Sequence, residues 1–243
     1  MTKSSLRLGT WLSTGSPAIA ELAALCGFDW LLLDLEHGCE PEAALPGQLR
    51  ALGGRATKPV VRVGAPHPDQ IARVLDWGAK GIMVPHVESA ETAREIVSAA
   101  YYAPRGRRGL SRTVRTHGYG LTFATDAESA PRIMAQIESV EGVKNVEAIA
   151  AVDGVDVLFV GPADLRHDLE HHPEWNVADF EACLAAVVNA ARKYGKAAGI
   201  LCRDVETITK FADQGFTEIA VESDLSILKQ AYLKILADGR TSQ

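Results

Sequence analysis

Eight short apolar runs recur along this chain, and each is followed by a segment patterned as an amphipathic helix. The runs are LRLGTWLS, DWLLLDLE, KPVVRVG, GIMVPHV, RIMAQIES, VDVLFVG, KAAGILC and TEIAVES. Helical patterns such as HPDQIARVLDWG, SAETAREIVSAAYYA and NVADFEACLAAVVNAARKYG stand between them, and LSILKQAYLKILADG closes the chain. Strands that alternate with helices pair in parallel, because a parallel neighbour is reached only by a crossover. Eight such units in 243 residues match the arithmetic of an α/β fold of the (β/α)8 TIM-barrel type. A doubly wound open sheet is the alternative. It fits less well, because the alternation persists to the end and no G-x-G-x-x-G follows the first strand. No linker or low-complexity tract interrupts the rhythm, so residues 1–243 are expected to form one barrel domain.

Composition narrows the function classes. Hydrophobic residues make up 47% of the chain, ample for a core, and the net charge of −6 comes without a basic block. Nucleic acid is therefore not an expected partner. No apolar run reaches the roughly 18 residues that suggest a membrane span. The first residues, MTKSSLRLGT, lack the apolar centre of a secretory signal. Four scattered cysteines without a CxxC pair suit free thiols in a reducing compartment. A cytoplasmic location is the expectation.

In a barrel of this type the chemistry sits at the C-terminal ends of the strands. Those ends carry Asp34, Glu36 and His37 on the second strand, Arg62 on the third, and His86 and Glu88 on the fourth. Gln136 and Glu138 follow on the fifth and Asp164 on the sixth, while the last two end in Cys202 and in Glu222 to Asp224. Side chains alternate along a strand, so Asp34 shares a face with Glu36, and Gln136 with Glu138. Two readings fit Glu138 and Asp164. Each carboxylate pairs with an arginine, or the two share a hard divalent cation such as Mg2+ or Mn2+. No lysine falls at a strand C-terminus, since Lys58 and Lys196 begin their strands, so a Schiff-base mechanism is disfavoured. The loops CRDVE and ESDLS offer no Gly-rich phosphate cradle. Two segments are expected as loops: Pro104–Ser129, which contains PRGRRG, and Arg166–Trp175, RHDLEHHPEW.

Five motifs, DLEHG, VRVG, LDWGAKGIMVPHVES, QIES and FVGPADL, stand in this order along the chain. Together they resemble the metal-dependent class II pyruvate aldolases, typified by 4-hydroxy-2-oxoheptanedioate aldolase, within the aldolase/citrate lyase superfamily. The resemblance spans about Leu8 to Leu236. It implies reversible retro-aldol cleavage of 4-hydroxy-2-oxo acids to pyruvate and an aldehyde. It also implies a divalent metal ion, Mg2+ or Mn2+ with Co2+ or Zn2+ as alternatives, held by Glu138 and Asp164. Arg62 matches the arginine that steadies the keto oxygen as it becomes an enolate, and His37 matches the general acid/base. Gln136 and the Ala163 amide match substrate contacts, with Pro162, Leu201 and Trp11 shaping the wall. Either Asp34 or Asp76 orients His37. Asp76 lies near the end of its helix, at the wrong pole of its own barrel, and could serve from a neighbouring subunit. The resemblance implies a homohexamer, often with an exchanged last helix.

Three features bear on substrate. Arg166 stands where the family tends to have a small polar residue, so an arginine near the mouth is expected to meet an acidic tail. Arg105, Arg107 and Arg108 could do the same, or contact the phosphates of an acyl-CoA in a citrate lyase-like reaction. A non-enzymatic barrel that binds a 2-oxo acid is the third reading.

Overall fold

A computed structural model of the chain describes residues 6–39, 41–122, 130–172 and 180–241. Eight strands close into a barrel in chain order: β1 (Arg7–Leu12), β2 (Trp30–Asp34), β3 (Lys58–Arg62), β4 (Gly81–Val84), β5 (Arg132–Ile137), β6 (Val157–Val160), β7 (Ala197–Cys202) and β8 (Glu218–Ser223). Every adjacent pair is parallel, including the closing pair of β8 and β1. The fold is the (β/α)8 TIM barrel that the alternation predicts. The helices around it are α1 (Pro17–Leu25), α2 (Leu45–Ala51), α3 (Pro68–Asp76), α4 (Ala90–Ala100), α5 (Val140–Lys144), α6 (Val146–Ala150), α7 (Pro162–His171), α8 (Phe180–Lys193), α9 (Ile208–Gln214) and α10 (Asp224–Thr241). Serine starts several of them. The side chains of Ser16, Ser89 and Ser139 accept the backbone N–H of Ile19, Thr92 and Gly142, satisfying donors that a helix start leaves open. Among the described residues no helix is long and apolar enough to cross a membrane.

Strand alternation divides the core in two. On β2, Leu31 and Leu33 pack outward beneath the helices, while Trp30 and Leu32 point into the barrel. The inner cluster also holds Trp11, Val60, Met83, Met134, Val157, Phe159 and Ala220. Room for these rings comes from glycine, because a Cβ on Gly9 would lie 2.3 Å from the Trp30 ring. Continuing the inward parity by one step carries Leu32 to Asp34, Val60 to Arg62 and Met134 to Gln136. Inward-facing polar side chains therefore begin where the apolar filling stops, at the C-terminal mouth.

Two expectations about element bounds need correcting. The second strand stops at Asp34 rather than running to Glu36. The Asp34 carboxylate accepts the N–H of Glu36 (3.0 Å) and of His37 (3.3 Å), which turns the chain out of the sheet. The segment after β6, read as a loop from Arg166, is helical through His171 as part of α7. Pro162 pre-sets the first helical turn, Asp164 places a carboxylate near the positive end of the helix, and Leu165 is buried. Residues 173–175 of that segment, and 123–129 of the expected long loop, lie outside the described residues.

Candidate active site

A cavity of about 320 Å3 opens at the C-terminal mouth of the barrel. Trp11, Asp34, His37, Arg62, Gln136, Pro162, Ala163, Asp164 and Leu201 all line it. Nine of the residues singled out in the sequence thus meet in one place, although they come from six strands and the loops that follow. Glu138 lies against the cavity, 3% exposed, in contact with the Gln136 amide.

Arg62 is the fixed point of the site. Its Nε and Nη2 donate to the two oxygens of Asp34 at 2.9 and 2.7 Å, a bidentate pair. Its Nη1 lies 2.7 Å from Glu36 Oε2, and its guanidinium stands 5.2 Å from the centre of the Trp11 ring. Burial opposes the charge on Asp34. The Arg62 hydrogen bond and charge, with the two backbone N–H groups, outweigh it and hold the carboxyl below its ordinary value. Burial likewise opposes the charge of Arg62, and Asp34, Glu36 and Glu138 overcome it.

Asp34 therefore does not orient the His37 imidazole in this subunit. Its oxygens hold Arg62 and the backbone of the turn. The His37 ring is 71% exposed at the rim, with Nε2 3.9 Å from Glu36 Oε1. Asp76 is not in the cavity either. It stands at the end of α3, where Arg108 Nη2 donates to it at 2.5 Å, because a helix that runs antiparallel to the strands ends at the opposite pole. Three of the four arginines expected to reach a substrate tail are also engaged elsewhere. Arg166 stacks on Phe180 at 3.6 Å, and Arg105 pairs with Asp153. Arg108 is buried against Asp76 and the Tyr102 ring.

Residues to which the resemblance assigns no role complete the site. Gly161 leaves a cradle beside the carboxylate pair, since a Cβ there would lie 2.3 Å from Glu138 Oε2. His86 has φ of +51°, a left-handed conformation costly for a side-chain residue. Its N–H donates to Glu138 Oε1 at 2.8 Å, so the unusual backbone directs a donor at that carboxylate. Arg203 and Glu222 also line the cavity, and Glu222 Oε1 accepts from Gln230. The sequence signal for Arg203 was its place at the end of a barrel strand, in a loop notable there only for lacking glycine.

The arrangement fits a divalent cation. Burial pushes the Glu138 carboxyl up. The His86 N–H and ring pull it down, and the charges of Asp164 and Glu36 push it up again. A cation between Glu138 and Asp164 would remove that repulsion. Asp164 comes from the first turn of α7, whose cap, Gly161, supplies no side-chain acceptor, so the turn remains open to a ligand. Among the described residues no three His, Cys, Asp or Glu side chains form a metal cluster. The protein offers two oxygen donors here, and such a site keeps positions for water and substrate.

Residues 7–231 match the model of the HpcH/HpaI aldolase/citrate lyase family. A hydroxypyruvate/pyruvate aldolase of Paraburkholderia phytofirmans is 41% identical, over 96% of this chain and 93% of its own length. A 5-keto-4-deoxy-D-glucarate aldolase of Shigella sonnei is 38% identical, over 95% of this chain and 91% of its own. The crystal structure of an HpcH/HpaI aldolase/citrate lyase family protein from Burkholderia cenocepacia superposes with a TM-score of 0.89 at 35% identity, covering 98% of this chain and 95% of that one. A barrel with this mouth and these relatives is an aldolase, a carbon–carbon lyase, and the chain belongs to the HpcH/HpaI aldolase/citrate lyase family.

Proposed function

We propose that the enzyme catalyses divalent-metal-dependent, reversible cleavage of a 4-hydroxy-2-oxo acid to pyruvate and an aldehyde. The observation that carries this reading is the clamped Arg62 guanidinium facing the same small cavity as Gln136 and Asp164, with Glu138 at its edge. Glu138 and Asp164 would hold Mg2+ or Mn2+. When bound, the ion supplies Lewis acidity toward the carboxylate and keto oxygens of the 2-oxo acid. Arg62, fixed by Asp34 and Glu36, directs its remaining N–H groups at the keto oxygen, where negative charge develops. His37 at the rim takes the proton of the C4 hydroxyl. The C3–C4 bond breaks, its electron pair passes into the pyruvate enolate, and C4 leaves as the aldehyde carbonyl. Protonation at C3 then gives pyruvate. Gln136 and the backbone of Ala163 orient the acid, while Trp11, Pro162 and Leu201 limit its size.

Arg203 points to the far end of the substrate. It lines the cavity and has no ion pair among the described residues, so it suits an aldehyde that ends in a carboxylate. The relatives named for hydroxypyruvate and for a glucarate derivative suggest the donors and acceptors to try. Pyruvate or hydroxypyruvate with Mn2+ and a panel of aldehydes should give aldol products by NMR. Arg203→Gln should raise KM about tenfold for glyoxylate or succinic semialdehyde and leave glycolaldehyde nearly unchanged. No product from any pair would end the functional reading, and equal loss for charged and neutral aldehydes would end the role of Arg203.

The assembly proposed is a homohexamer. It is supported by α10, which leaves Ile227, Leu233, Ile235 and Leu236 about half or more exposed along a helix that a neighbour would cover. Such an assembly could bring a neighbour's Asp76 to His37. Light scattering that gives the mass of a monomer at micromolar concentration would rule it out.

A further inference from the structure

The pole opposite the mouth is charged in an unbalanced way. Inward parity places Arg7, Lys58, Arg132 and Glu218 at the starts of β1, β3, β5 and β8, below the apolar filling. Glu218 is 2% exposed and serves both arginines, accepting from Arg132 Nη2 at 2.5 Å and from Arg7 Nη1 at 3.3 Å. Lys80 is stitched between Lys58 and Arg132. Its N–H donates to Pro59 O at 2.8 Å, and its carbonyl accepts the Arg132 N–H at 3.0 Å. All four cations line one cavity of about 490 Å3. A second cavity of about 290 Å3 shares Lys58 and Lys80.

An ionic plug that only closed the barrel would match its charges. Here four cations face three carboxylates, Glu218, Asp156 and Asp29, in a chain whose net charge is −6, and Asp29 Oδ2 already accepts the Leu8 N–H at 2.8 Å. Asp156 also accepts the Ile133 N–H at 2.8 Å. Neither lysine ammonium has a hydrogen bond or ion pair among the described residues. Two unpaired ammonium groups beside two arginines, around a concave space of ligand size, form an electropositive well in an acidic protein.

We propose that this pole is a second binding site, for a small polyvalent oxyanion held by Lys58, Lys80 and the outer faces of Arg7 and Arg132. Charge-assisted hydrogen bonds from ammonium and guanidinium groups are the chemistry that recognises such a ligand. The site is separate from the catalytic mouth and does not depend on the reaction proposed there.

Inorganic pyrophosphate is the probe, added to the full-length protein freed of metal by dialysis. Millimolar pyrophosphate should raise Tm by several degrees where NaCl of equal ionic strength does not. The 31P line of pyrophosphate should broaden on titration with protein. Lys58→Gln/Lys80→Gln should weaken binding at least tenfold by both readouts and leave aldol turnover unchanged. Both side chains are exposed, so the fold should tolerate the change. Equal binding by the double variant would place the anion elsewhere, for instance at Arg62 and Arg203, and overturn the assignment. An equal response to NaCl, or no response in either readout, would do the same.

Discussion

Glu138→Ala is expected to lower kcat/KM for Mn2+-supported pyruvate release by roughly a thousandfold or more. Metal stabilisation of developing charge is worth several kcal/mol, and each 1.36 kcal/mol is tenfold in rate. The variant also loses the acceptor of the His86 N–H and of the Gln136 amide, so activity alone would not separate metal loss from local collapse. Asp164→Ala supplies that control, because Asp164 is exposed in the first turn of α7 and its removal leaves the core intact. Thermal unfolding with Mn2+, with pyruvate, and with both gives a readout independent of turnover. Wild type should be stabilised by Mn2+ and further by the pair, and neither variant should respond to Mn2+. Full activity in Glu138→Ala, or an undiminished Mn2+ shift in both variants, would sink the metal assignment.

Breaking the clamp on Arg62 should cost the most stability. Asp34→Ala leaves a guanidinium 6% exposed with half of its support gone, and removing one partner of a buried pair costs about 3–5 kcal/mol. For a chain of this size that lowers Tm by roughly 10 °C. Activity should fall about a hundredfold or more, because the proposed donor to the keto oxygen loses its direction. The pH dependence has a definite sign. The folded-state pKa of Asp34 lies below its ordinary value of 3.8, so its stabilisation is complete above that value. It is lost as pH falls through the lower folded-state pKa. The Tm gap between wild type and Asp34→Asn should therefore be widest near neutrality and close only below about pH 4. A gap that stayed constant to pH 3 would show that the loss is one of packing.

The barrel was legible because its signal is repeated eight times. Each strand–helix unit is weakly marked, but only one common topology uses eight in a row. The mouth was legible for a related reason, since strand parity carries the inner row of Trp30 and Leu32 directly to Asp34. Pairing partners were harder to read. Asp34 lies three residues from His37 in sequence, yet its carboxylate reaches across to Arg62 on the next strand, where register places the two side by side. Local spacing is a poor guide to such contacts, because a parallel barrel brings together residues about thirty positions apart. Arg166 was misplaced through the expected loop. Once Pro162 starts a helix there, residue 166 turns onto Phe180 and away from the mouth.

Arg62 is bracketed by two carboxylates, so its guanidinium is a directional donor with no surplus positive charge to offer. With Glu138, Asp164 and Glu222 nearby, five acids face one clamped cation, and among the described residues lining the cavity the exposed Arg203 adds another. A bare site of that sign repels a 2-oxo acid. On the proposed reading, charge balance would set the binding sequence: a cation held by Glu138 and Asp164 would enter first and make a repulsive mouth one that admits pyruvate.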